Sequence, residues 1–382
     1  MSEPLRGASP AVVRTALDTN DPLPGASGCG PSEMGGFGGV VGGQVVRDVL
    51  GRQPVYTEAD AADPTADGAW AFSPADLDDP VAVPPGAVRT VAGDSQRLEL
   101  PEPPVDEPEP AQQAVDDALA GALGLDSDAT PTDTAVAFSG GVDSALVAAG
   151  LPDAPLYVIG FEGSHDIAAA REAAAAMDRN ADLVVIELDH DRLQEAVPRV
   201  ADAINRTNPM DVSIALPLVL VAERVRADGY DRLALGQGAD ELFGGYSKVV
   251  DPADDHRVEA DTVRGAVQET VTTLPGQLER DVCGLQAAGV EPVTPFLQDR
   301  VVDAALRLPD ELLATPEERK IALREFARRK GVLPADVAST DKKAVQYGSY
   351  VSRELDRLAR QAGYKRRMDD HVGQYIRSLC EA

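Results

Sequence analysis

A short run of serine, glycine and aspartate at residues 139–144 has the composition of a phosphate-binding loop. The run is Ser139, Gly140, Gly141, Val142, Asp143 and Ser144. It separates an apolar stretch at 135–138, typical of a buried strand, from a helical stretch at 144–151. Glycine lets a backbone approach phosphate oxygens closely, and a helix N-terminus favours an anion. The serine hydroxyls add donors, whereas the carboxylate of Asp143 suits Mg²⁺.

The same run also has a simpler interpretation, as a turn in which Asp143 or Ser144 caps the helix. The complete string, however, resembles the SGGxDS signature of PP-loop ATP pyrophosphatases. It lacks the lysine of the P-loop and the spacing of the dinucleotide fingerprint. The resemblance implies that the ligands are ATP and Mg²⁺, and that ATP is cleaved to AMP and pyrophosphate.

A second glycine-rich loop, residues 235–246, follows the short apolar stretch 233–235. Gly236 and Gly238 free the backbone to approach a nucleotide, and Asp240 can share Mg²⁺ with a carboxylate from a neighbouring strand end. The alternative is that Asp240 and Glu241 only open a helix and favour its dipole.

The second loop resembles the SGEGSDExFGGY segment of asparagine synthetases, and the resemblance covers roughly residues 112–360. It includes segments similar to LRxD, GVExRxPFLD, KxxLR and KxxFxxG, which lie at 278–281, 291–299, 320–324 and 342–348. The resemblance implies that Gly160, on the second strand, belongs to the adenosine pocket. It also implies that Lys342 meets the α-phosphate. The implied reaction activates a carboxylate, by default that of aspartate, as its AMP ester for attack by ammonia.

Two positions depart from the family pattern. Gln237 stands where asparagine synthetases have glutamate, and glutamine cannot act as a base. Val293 replaces an arginine of the VExRxP stretch. Both changes leave ATP chemistry intact and put aspartate as the acceptor in doubt. The candidate catalytic residues are therefore Lys342, Gln237 and Glu241.

The N-terminal region resembles the end of the glutaminase domain that asparagine synthetases carry. Residues 46–56 are similar to RDxLGxxPLYY, but no cysteine stands at the start, since Met1 is followed by Ser2 and Cys29 is internal. We therefore expect residues 1–100 to be a degenerate glutaminase-like domain without the cysteine nucleophile. Free ammonia or a separate glutaminase subunit would then supply nitrogen.

The alternation of apolar and helical stretches from about residue 112 predicts an α/β fold. Strands at 135–138, 156–161, 183–188 and 233–235 alternate with helices, which indicates a parallel sheet of the PP-loop type. A mostly helical part follows from about 258. A small β-leaning domain at 1–100 and an extended Pro/Glu linker at 101–111 precede the ATP pyrophosphatase domain at 112–382.

The composition limits the choice of partners. The net charge is −29, and only six of the 35 basic residues are lysine, so the chain lacks the basic field that nucleic acid requires. An acidic, lysine-poor surface is typical of a very salty cytoplasm. No apolar run approaches a membrane span, and we expect a cytoplasmic protein that acts on a small carboxylate. The oligomeric state stays open, with a homodimer as one option.

Two other functions share parts of this sequence pattern. PP-loop enzymes that modify tRNA carry the same SGGxDS string, but they generally need a basic docking face. An ATP-binding regulator that has lost turnover through Gln237 would bind nucleotide without releasing pyrophosphate.

Overall fold

The computed structural model describes residues 4–31, 33–125, 131–340, 345–365 and 369–381. Its strands are β1 (Leu5–Arg6), β2 (Gly38–Val41), β3 (Gln44–Arg47), β4 (Tyr56–Glu58), β5 (Trp70–Ala71), β6 (Pro80–Ala82), β7 (Ala87–Thr90), β8 (Gly93–Gln96), β9 (Thr134–Ala137), β10 (Leu156–Phe161), β11 (Leu183–Leu188), β12 (Arg232–Ala234) and β13 (Glu291–Val293). Its helices are α1 (Pro10–Thr19), α2 (Pro24–Ser27), α3 (Pro108–Ala122), α4 (Val142–Gly150), α5 (His165–Ala176), α6 (His190–Ala203), α7 (Pro209–Ala227), α8 (Ala239–Leu242), α9 (Val263–Val271), α10 (Leu274–Ala287), α11 (Asp299–Leu306), α12 (Asp310–Leu313), α13 (Ile321–Lys330), α14 (Ala335–Ser339), α15 (Val345–Gly348), α16 (Val351–Gln361) and α17 (His371–Cys380). Within these ranges no helix is apolar over a length sufficient to cross a membrane.

The chain forms two compact units that alternate along the sequence. The first unit comprises Met1–Ala129, Gly236–Glu279 and Thr294–Val332. The second comprises Thr130–Leu235, Arg280–Val293 and Leu333–Ala382. The linear division at 100 and 111 stays a prediction.

A parallel sheet forms the centre of the second unit and confirms the predicted fold class. Its strand order is β11-β10-β9-β12-β13, and every neighbouring pair runs parallel. The chain passes from β9 to β10 and β11 on one side, then returns to place β12 on the other side of β9. The carboxyl ends of β9 and β12 therefore flank the point where the strand order reverses, which is the position where open parallel sheets bind ligands.

Apolar runs explain the strands and helices around this sheet. All six residues of β10 are buried, because α5 and α7 pack against this strand. The helix α7 begins five residues before the predicted start at 214. Its capping residue, Asn208, accepts a hydrogen bond from the Asp211 amide at 2.9 Å, and Pro209 occupies the first helical position.

The first unit carries the β-leaning N-terminal region. One antiparallel sheet has the order β1-β2-β3-β7-β8, and a three-stranded sheet has the order β5-β4-β6. Three valines, Val45, Val55 and Val83, form a small buried cluster there. The glycine- and proline-rich composition of this region concealed α1, whose capping residue is Ser9.

Two further boundaries differ from the prediction. The helix α3 begins at Pro108, inside the predicted extended linker, because a proline in the first turn needs no amide hydrogen. The strand β13 lies in the part expected to be mostly helical. It contains Pro292, which a parallel sheet accepts at its edge.

Glu354 links two helices of the second unit, α16 and α6. This buried carboxylate accepts hydrogen bonds from His190 at 2.8 Å and from Arg353 at 2.7 Å. Burial opposes its charge, but these hydrogen bonds outweigh burial and hold the pKa of Glu354 below its ordinary value.

A carboxyl group with a lowered pKa stabilises the fold above its unfolded pKa and loses that effect as pH falls through its folded pKa. We expect Glu354→Gln to lower the free energy of unfolding at pH 6 by about 1–3 kcal/mol, since charged hydrogen bonds are lost. The difference from the parent protein should shrink as pH falls below about 4.5. Urea unfolding at constant high salt measures this difference. The control is Glu195→Gln, an exposed position on α6. A difference that does not shrink as the carboxylate becomes protonated would contradict the assignment.

Candidate functional site

The loop after β9 is organised by the hydroxyl of Ser144. Ser144 is buried, and its Oγ accepts a hydrogen bond from the Ser139 amide at 3.2 Å. The same Oγ donates to the Gly141 carbonyl at 3.1 Å and lies 3.0 Å from Ser139 Oγ. Ser144 thus closes residues 139–144 into a compact loop.

The helix that follows this loop begins without a side-chain cap. Gly141 is the capping residue of α4, its backbone is extended, and it has no side chain that could accept a hydrogen bond from the first turn. The first amide groups of α4 therefore have no partner within the helix and form a position for an anion. The simpler interpretation, in which Asp143 or Ser144 caps α4, is wrong. Asp143 lies in the first turn and is partly buried.

Two glycines of the second unit fit their surroundings for steric reasons. Gly140 has φ +77°, and a Cβ there would lie 2.8 Å from the Ala170 amide nitrogen, so the loop lies directly against α5. Gly160, near the end of β10, faces Ser164, whose Oγ a side chain at 160 would overlap. Ser164 is buried, and its Oγ has no hydrogen-bond partner among the described residues. A buried donor without a partner at this sheet edge fits a site for a polar ligand.

The loop after β12 continues into the first unit, where it makes a tight turn at Gly238. Gly238 has φ +90°, and a Cβ there would lie 2.7 Å from Leu297 Cγ. Gly236 and Gln237 are partly buried. Glu241 is buried in α8 and accepts a hydrogen bond from Tyr246 Oη at 2.6 Å. Burial, and then the neighbouring Asp240, raise the pKa of the Glu241 carboxyl.

Asp240 is paired with Lys320 in the first unit. Lys320 Nζ lies 2.7 Å from Asp240 Oδ1, and the lysine side chain is 11% exposed. The backbone of Lys320 is left-handed, with φ +57°, a conformation that costs energy for a residue with a side chain. Gly245 lies against this pair, because a Cβ at 245 would overlap Asp240 Oδ1. Arg319 holds the same turn by donating to the Gly245 carbonyl at 2.8 Å.

The structure thus gathers the predicted residues into two groups, one in each unit. The second unit contains 139–144 and Gly160, and the first contains 236–241. Lys342 lies outside the described residues. The sequence linked Lys320 only to the KxxLR-like segment and predicted no role for it. The rarity of lysine was a usable signal, because the chain contains only six lysines.

A magnesium ion that accompanies a nucleotide fits the available donors. In the described ranges, no group of three or more His, Cys, Asp and Glu side chains is arranged to hold a metal ion. Such a group is not required, since Mg²⁺ usually takes one or two carboxylates, substrate phosphates and water. Asp143, in the second unit, and Asp240, in the first, each stay a predicted magnesium ligand.

Comparisons with known proteins agree with the sequence motifs. The family model described as asparagine synthase matches residues 114–262 and 254–372. A Methanocaldococcus jannaschii protein provisionally named asparagine synthetase (glutamine-hydrolyzing) 1 is 30% identical over 277 residues, which cover 63% of this chain and 50% of that protein. Asparagine synthetase B of Escherichia coli is 26% identical over 236 residues, covering 56% of this chain and 41% of its own. The chain spans half or less of the length of these relatives.

Gly245 provides a test of the Asp240–Lys320 pair. We expect Gly245→Ala to separate the pair and to lower the free energy of unfolding by about 1–3 kcal/mol, as overpacking does. Adding Asp240→Ala to this variant should cost little more, because the overlapping carboxylate is then gone. The control is Gly276→Ala in α10, where a Cβ meets open space. It should be neutral or stabilising. Thermal unfolding measures these three variants and Asp240→Ala alone, and full additivity of the two changes would contradict the predicted overlap.

Proposed function

The chain belongs to the asparagine synthase family, and from this premise we propose that it is an ATP-dependent, AMP-forming amide ligase. The uncapped N-terminus of α4, placed by the 139–144 loop at the strand-order reversal, is the observation that carries this proposal. Positions of this kind bind phosphate through backbone amides. The family match supports ATP as the nucleotide.

In the proposed reaction a carboxylate attacks the α-phosphorus of ATP and pyrophosphate leaves. The resulting acyl-AMP ester is then attacked by ammonia, which forms the amide and releases AMP. Aspartate is the default acid and asparagine the default product. The amides of α4 and the Ser139 hydroxyl would hold the leaving pyrophosphate.

The carboxylates have assigned roles in this proposal. Asp143 and Asp240 would hold Mg²⁺, which supplies a positive charge to the phosphate oxygens when it is bound. Lys320 pairs with Asp240, its Nζ lying 2.7 Å from Asp240 Oδ1. Lys342 would meet the α-phosphate, a role taken from the family motif. Gly160, Gly236 and Gly238 are assigned to the nucleotide site by the family motifs.

The nitrogen source is a further part of the proposal. We propose that free ammonia, or a separate glutaminase, supplies nitrogen. No nucleic acid takes part, because the net charge of −29 opposes a phosphate backbone.

The reaction products test the proposal. Purified protein in high salt, supplied with ATP, Mg²⁺, aspartate and ammonium, should release AMP and pyrophosphate in equal amounts together with asparagine. We expect Asp143→Asn to lower the rate by at least about 100-fold, since a metal ligand is lost. The control is Asp153→Asn, an exposed carboxylate beyond the far end of α4. Accumulation of ADP would overturn the proposed cleavage.

Gln237 raises the question of which acid is activated. A glutamate at this position could accept a proton from attacking ammonia, and a general base contributes about 10²–10⁴-fold to a rate. If aspartate is the acceptor, Gln237→Glu should increase asparagine formation by at least about tenfold at an unchanged initial rate of pyrophosphate release. The control is Gln113→Glu, an exposed position on α3.

A screen of pyrophosphate release over other small carboxylic acids identifies the alternative acceptor. If the parent protein turns over another acid and Gln237→Glu does not improve aspartate, aspartate is the wrong acceptor. If nucleotide binds tightly and no acid triggers pyrophosphate release, the chain is a regulator rather than a ligase.

A further inference from the structure

Three charged side chains of the first unit form a buried cluster that the proposed reaction does not use. We call Asp48, Arg52 and Asp299 the Arg52 cluster. Arg52 Nε lies 2.8 Å from Asp48 Oδ1, and Arg52 Nη1 lies 2.6 Å from Asp299 Oδ1. The two carboxylates are 0% exposed, and the arginine is 3% exposed. Charged groups are rarely buried to this degree.

Backbone groups complete the cluster and tie it to the N-terminal region. The Gly25 amide donates to Asp299 Oδ2 at 2.8 Å, and the Leu50 amide donates to Asp48 Oδ1 at 3.1 Å. Although burial opposes its charge, the two carboxylates raise the pKa of Arg52 above its ordinary value. Arg52 is therefore a permanent cation held by the segment that resembles the end of a glutaminase.

The guanidinium of Arg52 also holds the backbone next to Asp299. Arg52 Nη1 donates to the Leu297 carbonyl at 2.8 Å. Residues 297 and 299 thus share one rigid donor group, whose planar geometry fixes position as well as distance.

The side chain of Leu297 packs against the glycine turn after β12. Leu297 is fully buried, and its Cγ would lie 2.7 Å from a Cβ at Gly238. Gly238 has φ +90° and opens α8, which carries Asp240 and Glu241. The contacts therefore run without interruption from Arg52 through Leu297 to the second loop, all within the first unit.

Burial alone does not explain this arrangement. A buried ion pair generally stabilises a fold no better than apolar side chains of the same volume would, because both charges lose their hydration. Arg47, the neighbouring buried arginine, uses its donors on other partners, namely the Val83, Gly51 and Pro275 carbonyls and Glu279. Arg52 differs from Arg47 because it hydrogen-bonds to residues 297 and 299, and the side chain of Leu297 packs against Gly238.

We propose that Arg52 is a positioning residue for the second glycine loop. The N-terminal region thereby has a role in the ligase reaction that does not require glutamine hydrolysis. The RDxLG-like segment of the N-terminal region holds Leu297 against Gly238 and so fixes the position of the backbone that carries Asp240. Only the identity of the ligand, Mg²⁺–ATP, rests on the proposed function.

The first experiment needs no ligand. Hydrogen exchange at the amides of 236–246 is measured by mass spectrometry in the parent protein, Arg52→Lys and Arg47→Lys. We expect Arg52→Lys, which keeps the charge and loses the fork, to speed exchange in this segment by about tenfold through easier local opening. Arg47 is buried to a similar degree, so Arg47→Lys is the matched control. It should change the exchange rate of this segment by no more than about twofold, since the hydrogen bonds of Arg47 end elsewhere. Equal exchange in both variants would overturn the proposal.

The second experiment measures the dissociation constant for Mg²⁺ with a non-hydrolysable ATP analogue. We expect Arg52→Lys and Leu297→Ala each to weaken binding by about tenfold or more, since both displace the same backbone. The double variant should be no weaker than the weaker single variant, because one contact path carries both effects. Additive losses of binding free energy would contradict a single contact path from Arg52 through Leu297. If the parent protein binds no nucleotide, the proposed function fails, and the hydrogen-exchange result still decides the role of Arg52.

Discussion

The parallel register of β9 with both of its neighbours is the constraint on which the candidate site depends. Parallel pairing brings the carboxyl ends of β10, β9 and β12 to one edge of the sheet. The strand order reverses at β9, and open parallel sheets bind ligands at such a reversal. The loop at 139–144 and the loop after β12 both start there. A strand inserted at this position would separate the two starting points, whatever the loop sequences were.

Arginine is the cation that pairs with the buried carboxylates of this acidic chain. The buried clusters use arginine, as in Asp48–Arg52–Asp299 and in Arg280, which contacts Asp211 at 3.0 Å and Asp281 at 2.6 Å. A guanidinium remains charged when buried and satisfies two carboxylates at once, which an ammonium does less well. Lys320 is the exception, since its single compact charge pairs with Asp240 at 2.7 Å.

Features of this fold that local sequence patterns determine were predictable, whereas features that depend on contacts between distant residues were not. The strands β10 and β11 were predicted to the residue, because polar turns bound both and only Glu187 in β11 interrupts their runs of apolar residues and glycine. The start of α7 was missed, since a cap at Asn208 and a proline after it carry no apolar periodicity. The Asp240–Lys320 pair joins residues far apart in the chain, and nothing local to either predicts it. The Arg52 cluster was hidden for the same reason, although its segment was recognised as similar to a known motif.

The glycines show why a motif and its chemistry must be separated. Gly140, Gly238 and Gly245 each have a steric reason within the protein, respectively the backbone of α5, the side chain of Leu297 and the carboxylate of Asp240. A glycine signature could therefore persist in a relative that no longer binds nucleotide, because the packing alone would preserve it. The uncapped N-terminus of α4 and the buried hydroxyl of Ser164 are different, since packing gains nothing from either. Buried polar groups without partners among the described residues cost free energy. A ligand that supplies acceptors would offset that cost, so these groups, rather than the glycines, support the proposal that the loop binds an anion.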